Sequence, residues 1–571
     1  MHAAKLSVSA RTHQLHGTAV HGTPVARHTG LLHCPRPRRG RIVAPTMTSS
    51  TRLSVTRAVA ALVFSAAAPL EAATVLLQVQ VSAPVVSTPT GVPLGAAAVE
   101  QTTVGTAPAA RLIVAFDGLG VGFTGPQGTA TLRNPSDNSL AVGRDQIVQT
   151  VNSQLAIFTR RGAIYDSTGR VLRGPVPTNQ IFSGFGGACG SNNNGDAVVR
   201  YDQLADRWLL VMPIFRRVPW RTPRPTAAPS DSGRFAMCYA VSATSDALGA
   251  WHRYEFDRTL FPDYPRPAVW PDGYYTPTST GDDVIEKHVC VADRVRMLAG
   301  EAATEQCVIV SEVNFLNTSD LDGTGLPPAG APNIIVAAAG SQLKGIIDAD
   351  ELQVWALHVD WDDPRRTRLD GPQRLPVAPY RYLCGGQLTR CVPQPGTDRR
   401  LDAQGDKVMP RLVYRRFGTH EALVAVHSVN TAAGGGGVRW YELRVGARRA
   451  LVVHQQGTYA PDSHFRWMAS PALDRLGNIG MGYSFGGASD FPGQRFAGRT
   501  PDAPRGMLSL REAILATGGA SQTTTLRWQD YTQTAIDPVD DCTVWYVGDY
   551  LRVGATSYST RIGAFRMPGC E

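Results

Sequence analysis

An all-β, disulfide-bonded fold, a single β-propeller of about seven blades, is predicted by three features of this sequence. From about residue 111 onward, short β-rich runs alternate with turn residues. One Asp-containing turn pattern recurs along the chain. After residue 108 no stretch reads as a linker, although 571 residues are too many for one ordinary core. A long core without breaks is built by repetition, around a ring or along a solenoid.

The runs include Gln146-Ile-Val-Gln-Thr-Val-Asn152, Leu155-Ala-Ile-Phe-Thr159, Arg207-Trp-Leu-Leu-Val-Met212, Gln353-Val-Trp-Ala-Leu-His-Val359 and Thr543-Val-Trp-Tyr-Val547. Their spacing suits sheets of three or four strands, and the 57 Gly and 40 Pro favour turns over long helices. Residues 507–516 fit a short helix or another strand, because periodicity does not separate the two.

The recurring turn is Tyr201-Asp202-x3-Asp206-Arg-Trp208, Leu473-Asp474-x3-Asn478-Ile479 and Ile536-Asp537-x3-Asp541-Cys-Thr-Val544. An Asx side chain bonds nearby backbone amides in a tight turn, so the spacing has a mechanism. The last two copies lie 63 residues apart, and that interval divides residues 109–571 into about seven units, with six or eight also compatible. Separate β-sandwich domains are the competing architecture, and these need linkers between units.

The formal charge of +9 sits at the front of the chain. Residues 1–46 hold seven Lys or Arg and no acid, and residues 47–72 add a net +1, which leaves +1 for the rest. A nucleic-acid partner therefore loses its main support. From Met47 the sequence has the pattern of a secretory signal: Arg52 and Arg57, then an apolar run over 58–70, with cleavage expected near Ala72. Residues 1–46 read as a disordered extension or a start assigned too far upstream. Residues 73–108, rich in Ala, Val, Thr, Pro and Gly, read as a low-complexity linker. The expected product is secreted (periplasmic, extracellular or on the cell surface), with no transmembrane segment in the mature chain.

Eight cysteines follow the signal: Cys189, Cys238, Cys290, Cys307, Cys384, Cys391, Cys542 and Cys570. An even number in an exported chain points to disulfides, and joining sequence neighbours gives the simplest pairing of the 105 that eight cysteines allow. A zinc site is disfavoured by the absence of Cys-x2-Cys and His-x3–5-His spacings.

The stretches Gly195-Asp-Ala-Val-Val-Arg-Tyr-Asp-Gln-Leu-Ala-Asp-Arg-Trp208, Val269-Trp-Pro-Asp-Gly-Tyr-Tyr275, Gln456-Gly-Thr-Tyr-Ala-Pro-Asp462 and Arg466-Trp-Met468 resemble a largely uncharacterised family of exported bacterial proteins of propeller type. That resemblance implies a fold and a surface or secreted location, with no settled reaction. The Asp turns also resemble, loosely, the Asp boxes of sialidase-like propellers. They depart from them in having Arg200 where the Ser or Thr two residues before the Asp would stand, so the resemblance speaks to fold alone.

Three clusters are candidates for chemistry. Trp270, Asp272, Tyr274 and Tyr275 combine stacking surface with an acid and two phenols, and the same residues would equally form a Pro-Asp-Gly turn with Tyr packed between sheets. Tyr459, His464, Arg466 and Trp467 offer a base, a cation and aromatic faces, or else a polar sheet edge with Arg466 paired to a carboxylate. Asp320 and Asp322, within Asn317–Gly325, place oxygen ligands around a Gly turn, which makes Ca2+ the candidate cofactor, although the bidentate Glu of an EF-hand loop is missing. Gly434–Gly437 lacks the Lys of a phosphate loop and reads as a hairpin, and no Gly-x-Ser-x-Gly elbow is present. The expected function is binding of an extracellular glycan or protein partner. The alternative is a carbohydrate-active enzyme, a glycoside hydrolase or polysaccharide lyase, with Asp272, Tyr274, Tyr275, His464 and Arg466 as catalytic candidates.

Overall fold

In the computed structural model the β-rich runs become antiparallel meanders, each strand paired with the next in sequence. The structure describes residues 73–76, 85–86 and 96–570, apart from 132, 216–234, 260, 280–285, 312, 314, 343–347 and 387–388. Among these, only Gly187–Ser191 and Arg294–Ala299 are α-helical, and residues 507–516 supply a strand, Ala513–Ala516. No helix among the described residues is long and apolar enough to cross a membrane.

Four meanders of four strands each stand as separate sheets in a propeller-like arrangement, the third extended by a fifth strand, Ala73–Leu76. The first joins Ser139–Val142, Gln146–Val151, Gln154–Thr159 and Val171–Pro177. The second joins Val198–Asp202, Arg207–Ile214, Phe235–Ser242 and Trp251–Arg258. The third runs from Ala268–Trp270 through Gly273–Ser279 and Glu286–Asp293 to Thr304–Ser311. The fourth takes Gln533–Ile536, Thr543–Tyr550 and Ser559–Arg566 from the C-terminal end, and its last strand, Arg111–Asp117, from the other end of the domain.

Between the third meander and the C-terminal one, the strands from Asn317–Leu321 to Ala513–Ala516, apart from the separate hairpin of Val392–Gln394 and Thr397–Leu401, belong to one larger sheet. Its successive antiparallel runs are joined by parallel pairing of Asn317–Leu321 with Leu412–Arg416 and by a single pair, Gly436 with Phe465. Gly434 and Gly435 sit in the turn between Glu421–Asn430 and Gly436–Val445.

Period-two alternation explains why the meanders stack. In Arg207–Ile214, Trp208, Leu210 and Met212 pack toward the first meander, against Ala141, Val148 and Ile157. Leu209 and Val211 point the other way, toward Val269, Tyr274 and Ala292 of the third. The first meander in turn presents Leu140, Ile147 and Phe158 to Trp545, Val547 and Ile562 of the C-terminal one. The core thus lies between neighbouring sheets, with no single centre.

The Asp turns lie where the first strand of a meander passes to the second. Asp202 accepts from Leu204 N at 3.1 Å, Asp474 from Leu476 N at 2.9 Å and Asp537 from Val539 N at 2.9 Å. Four disulfides are present, Cys189–Cys238, Cys290–Cys307, Cys384–Cys391 and Cys542–Cys570. Cys290 and Cys307 are direct cross-strand partners in the third meander.

Part of the segment expected to be a linker is paired onto the sheets. Ala73–Leu76 runs parallel to Thr304–Ser311, Val85–Val86 to Arg368–Pro376 and Glu100–Gln101 to Leu451–Tyr459, and Ala107 bridges Leu510. Valine and threonine supply the β propensity for such edge strands even where charge is absent.

Ion pairs cross between meanders. Arg160 reaches Asp537 at 2.6 Å, and Arg294 reaches Asp202 at 2.7 Å. Asp537 is buried and also accepts from Trp545 Nε1 at 2.9 Å. Asp537→Ala would leave the Arg160 guanidinium without its carboxylate, and loss of one partner from a buried pair costs about 3–5 kcal/mol. Urea denaturation of the variant is expected to show a loss of that size, whereas Asp362→Ala, at an exposed position, is expected to stay within about 0.5 kcal/mol of the parent.

Candidate functional site

The first strands of successive runs adjoin one another, and a network of buried charges plugs the space between them. Arg411 pairs with Asp320 and, at 2.6 Å, with Asp322, while Arg200 lies 3.3 Å from Asp320. Asp320 also accepts from Val269 N at 2.9 Å and Asp322 from Leu473 N at 3.0 Å. Burial disfavours the Arg411 charge, but the two carboxylates outweigh it and raise its pKa. Burial lowers that of Arg200 to about 10. The space left beside them is about 20 Å3, room for about one water molecule. Asp320 and Asp322, the calcium candidates, are therefore balanced by guanidinium groups.

Above this plug, at the end where the first strands begin, the residues just ahead of each strand converge. Asp137 stands two residues before Ser139–Val142, Asp196 two before Val198–Asp202, Phe315 two before Asn317–Leu321 and Tyr531 two before Gln533–Ile536. Residues 263–266 precede Ala268–Trp270, and residues 402–407 precede Leu412–Arg416.

At this mouth Asp196 lies near Asp137 and Asp263 and acts electrostatically on both. Burial, then the charges of Asp196 and Asp530, push Asp137 well above the usual carboxylate range. Burial, Asp196 and Asp530 do the same to Asp263, and burial and Asp530 raise Asp196. Asp137 is fully buried, whereas Asp196 and Asp263 keep part of their surface open.

Surrounding side chains hold these acids in place. Asn152 Nδ2 donates to Asp137 Oδ2 at 2.5 Å, and Asp530 accepts from Gln404 Nε2 at 2.6 Å and from Arg527. Tyr264 donates to the Asp530 carbonyl at 2.7 Å and packs edge-on to Tyr531 at 5.2 Å. The buried Tyr531 hydroxyl has no hydrogen-bond partner among the described residues, and burial followed by Asp137, Asp196 and Asp530 raises its pKa well above 10. Beside the acids, Arg266 stacks at 4.9 Å from the Tyr264 ring and Lys407 at 3.8 Å from that of Phe315. Asp137, Asn152, Asp196, Tyr264, Gln404 and Asp530 all adopt positive φ, the left-handed region that side-chain-bearing residues avoid.

The sequence candidates fall elsewhere, and in two separate places. Trp270 ends the first strand of its meander, so Asp272 lies in the turn at the far end from the mouth. Tyr274 and Tyr275 are fully buried, donating to Asp202 at 2.9 Å and to Asp272 at 3.1 Å. Trp270 packs edge-on against Tyr414 at 4.8 Å. Burial raises Asp272 to about 6. His464 and Arg466 lie instead at the start of Phe465–Leu473. His464 sits between Asp462 at 3.0 Å and Asp490 at 2.9 Å, and Arg466 between Asp462 at 2.8 Å and Glu512 at 2.9 Å, under the Tyr459 ring. Trp467, fully buried, packs on Trp528 at 6.3 Å and so borders the mouth. No hydrogen bond, ion pair or ring contact among the described residues joins the Asp272 group to the His464 group.

No family model matches the chain, and no curated protein does. Among solved structures it is similar to a protein of unknown function from Dyadobacter fermentans, at 9% identity and TM-score 0.31 over 81% of this chain and all of that one. It is similar to the polysaccharide lyase Uly1 at 12% identity and TM-score 0.36, over 82% of this chain and 99% of that one. With extracellular domains 1–2 of Drosophila Semaphorin 1b the figures are 6% and 0.36, over 80% and 88%. Likenesses at these TM-scores decide nothing about the chemistry of this chain.

Carboxyl groups with raised pKa values give the native state protons that the unfolded chain has already released. Their contribution is fully present below the unfolded carboxylate range, near about 4, and is lost as pH rises through the native values. Asp549, which holds the 136–138 segment from beneath through Ser136 Oγ at 2.7 Å, is raised by burial to about 7. Urea midpoints are therefore expected to fall between pH 5 and pH 7, by up to about 1.4 kcal/mol per pH unit for each such carboxyl. Asp549→Asn and Asp196→Asn are each expected to flatten that slope.

Proposed function

We propose that this protein is an exported propeller of seven blades that binds an extracellular glycan at the mouth where the residues ahead of its first strands converge. The observation that carries the binding site is the gathering of Asp137, Asp196 and Asp263, two of them partly exposed, near the unpartnered Tyr531 hydroxyl. Carboxyl groups that hold a proton both donate to and accept from sugar hydroxyls, the unpartnered Tyr531 hydroxyl does likewise, and tyrosine rings stack on pyranose faces.

The blade number is supported by contacts between first strands of successive runs. Ser139–Val142 touches Val198–Asp202, which touches Ala268–Trp270, and so on through Asn317–Leu321, Leu412–Arg416, Phe465–Leu473 and Gln533–Ile536, back to Ser139–Val142. On this reading the larger sheet comprises three blades, and Arg111–Asp117 closes the ring. Export is supported by the secretory pattern over 47–72 and by the disulfides, which persist in oxidising compartments.

A second reading, a carbohydrate-active enzyme, is favoured by the neighbouring acids. A carboxyl group with a raised pKa can protonate a glycosidic oxygen, and a neighbouring carboxylate is its natural counterpart.

Isothermal titration of the chain from residue 73 onward against neutral and acidic polysaccharides tests the proposal. Saturable binding is expected, weakened about tenfold or more by Asp196→Asn and Tyr531→Phe and unchanged by Asp272→Asn. Absence of binding across the panel sinks it. Release of reducing ends or unsaturated uronates that Asp196→Asn abolishes moves the assignment to the enzyme.

A further inference from the structure

A cavity of about 340 Å3 opens between the first and second meanders, away from the mouth. Its floor is aliphatic, from Leu155, Ile157 and Val176, and the half-buried Trp251 forms part of its wall. Two guanidinium groups complete it, Arg173 from the strand Val171–Pro177 and Arg253 from the strand Trp251–Arg258. Among the described residues no carboxylate lines the cavity. Arg253 donates to the Ser183 carbonyl at 2.7 Å and lies over the Phe185 ring at 5.6 Å, which aims it without neutralising it.

Apolar floor, indole face and uncompensated positive charge select a ligand with one non-polar face and one anionic edge. The structure assigns this cavity as a binding subsite for a uronic-acid residue, with the C–H face of the sugar against Trp251 and its carboxylate between Arg173 and Arg253. Guanidinium forks match carboxylate geometry, and such charge-assisted hydrogen bonds are about twice as strong as neutral ones. The volume lies near the lower end of the roughly 300–1,000 Å3 range of small-ligand sites, room for about one or two sugar rings. An acidic peptide is the competing ligand, and competition with oligoglutamate separates the two. The subsite does not rest on the glycan reading of the mouth.

The test is titration of the mature chain with a short (1→4)-linked oligogalacturonate and with its carboxyl-reduced counterpart, followed by competition with oligoglutamate. Expected are saturable binding of the first, at least about tenfold weaker binding of the reduced sugar, and losses of similar size in Arg173→Gln and Arg253→Gln. Trp251→Leu weakens binding and Trp251→Phe retains most of it, while Asp196→Asn changes nothing at this subsite, which separates failure here from failure at the mouth. Both Arg positions are half-exposed, so thermal melts of these variants should match the parent, and the two carry the test if Trp251→Leu does not fold. Absence of saturation at millimolar sugar overturns the assignment. So does binding indifferent to both Arg substitutions, or equal affinity for oligoglutamate, which would mark a protein-binding groove.

Discussion

Strand Arg207–Ile214 buries Trp208, Leu210 and Met212 on one side and Leu209 and Val211 on the other, and a sheet with two apolar faces needs a neighbour on each. That constraint governs the rest of the structure. An open stack would leave one apolar face at either end, and at roughly 25 cal/mol per Å2 an exposed sheet face is a large penalty. Here the packing of Leu140 and Phe158 against Trp545 and Ile562 brings the earliest and latest meanders together. The C-terminal sheet takes Arg111–Asp117 as its fourth strand, so the two ends of the domain are fastened by backbone hydrogen bonds.

Side chains between the first strands meet a different condition. Several strands converge there, and the space is too small for further aliphatic packing. Arg200, Arg411, Asp320 and Asp322 occupy it as a network whose oxygens also accept from Val269 N and Leu473 N. Desolvating such ions costs several kcal/mol each, offset by their mutual attraction and hydrogen bonds. The pairs specify neighbours as well: Arg160 recognises Asp537 and Arg294 recognises Asp202, each across a boundary between meanders. Apolar contacts alone are less selective about which sheet adjoins which.

The parts of this design that could be seen in the sequence are the local ones. Period-two runs mark the strands, and the Asx spacing at Asp202, Asp474 and Asp537 marks the turns, because both signals lie within a few residues. Disulfides between sequence neighbours follow from a topology in which consecutive cysteines share a sheet or adjoin one. The mouth is assembled from residues scattered between 137 and 531, so no spacing announces it. Its one faint signal is an Asp two residues ahead of a meander's first strand, at Asp137 and again at Asp196 after Gly195. Trp270, Tyr274 and Tyr275 attract attention in the sequence because large aromatics cluster there, yet bulk is what filling the wedge between sheets requires. Asp320 and Asp322 resemble cation ligands in the sequence, and the guanidinium they meet in the fold, that of Arg411, lies some 90 residues away, where no local spacing announces it.

Burial is the largest cause of the upward shift at each of Asp137, Asp196 and Asp263, so these acids owe their protons to the packing around them. Asp137, Asp196 and Asp530 are moreover held at positive φ, where a non-glycine residue is strained by about 1–2 kcal/mol. Mutual repulsion of the acids, desolvation and backbone strain all act against folding at this one place, and the packed meanders and their ion pairs stabilise the chain enough to hold such an arrangement.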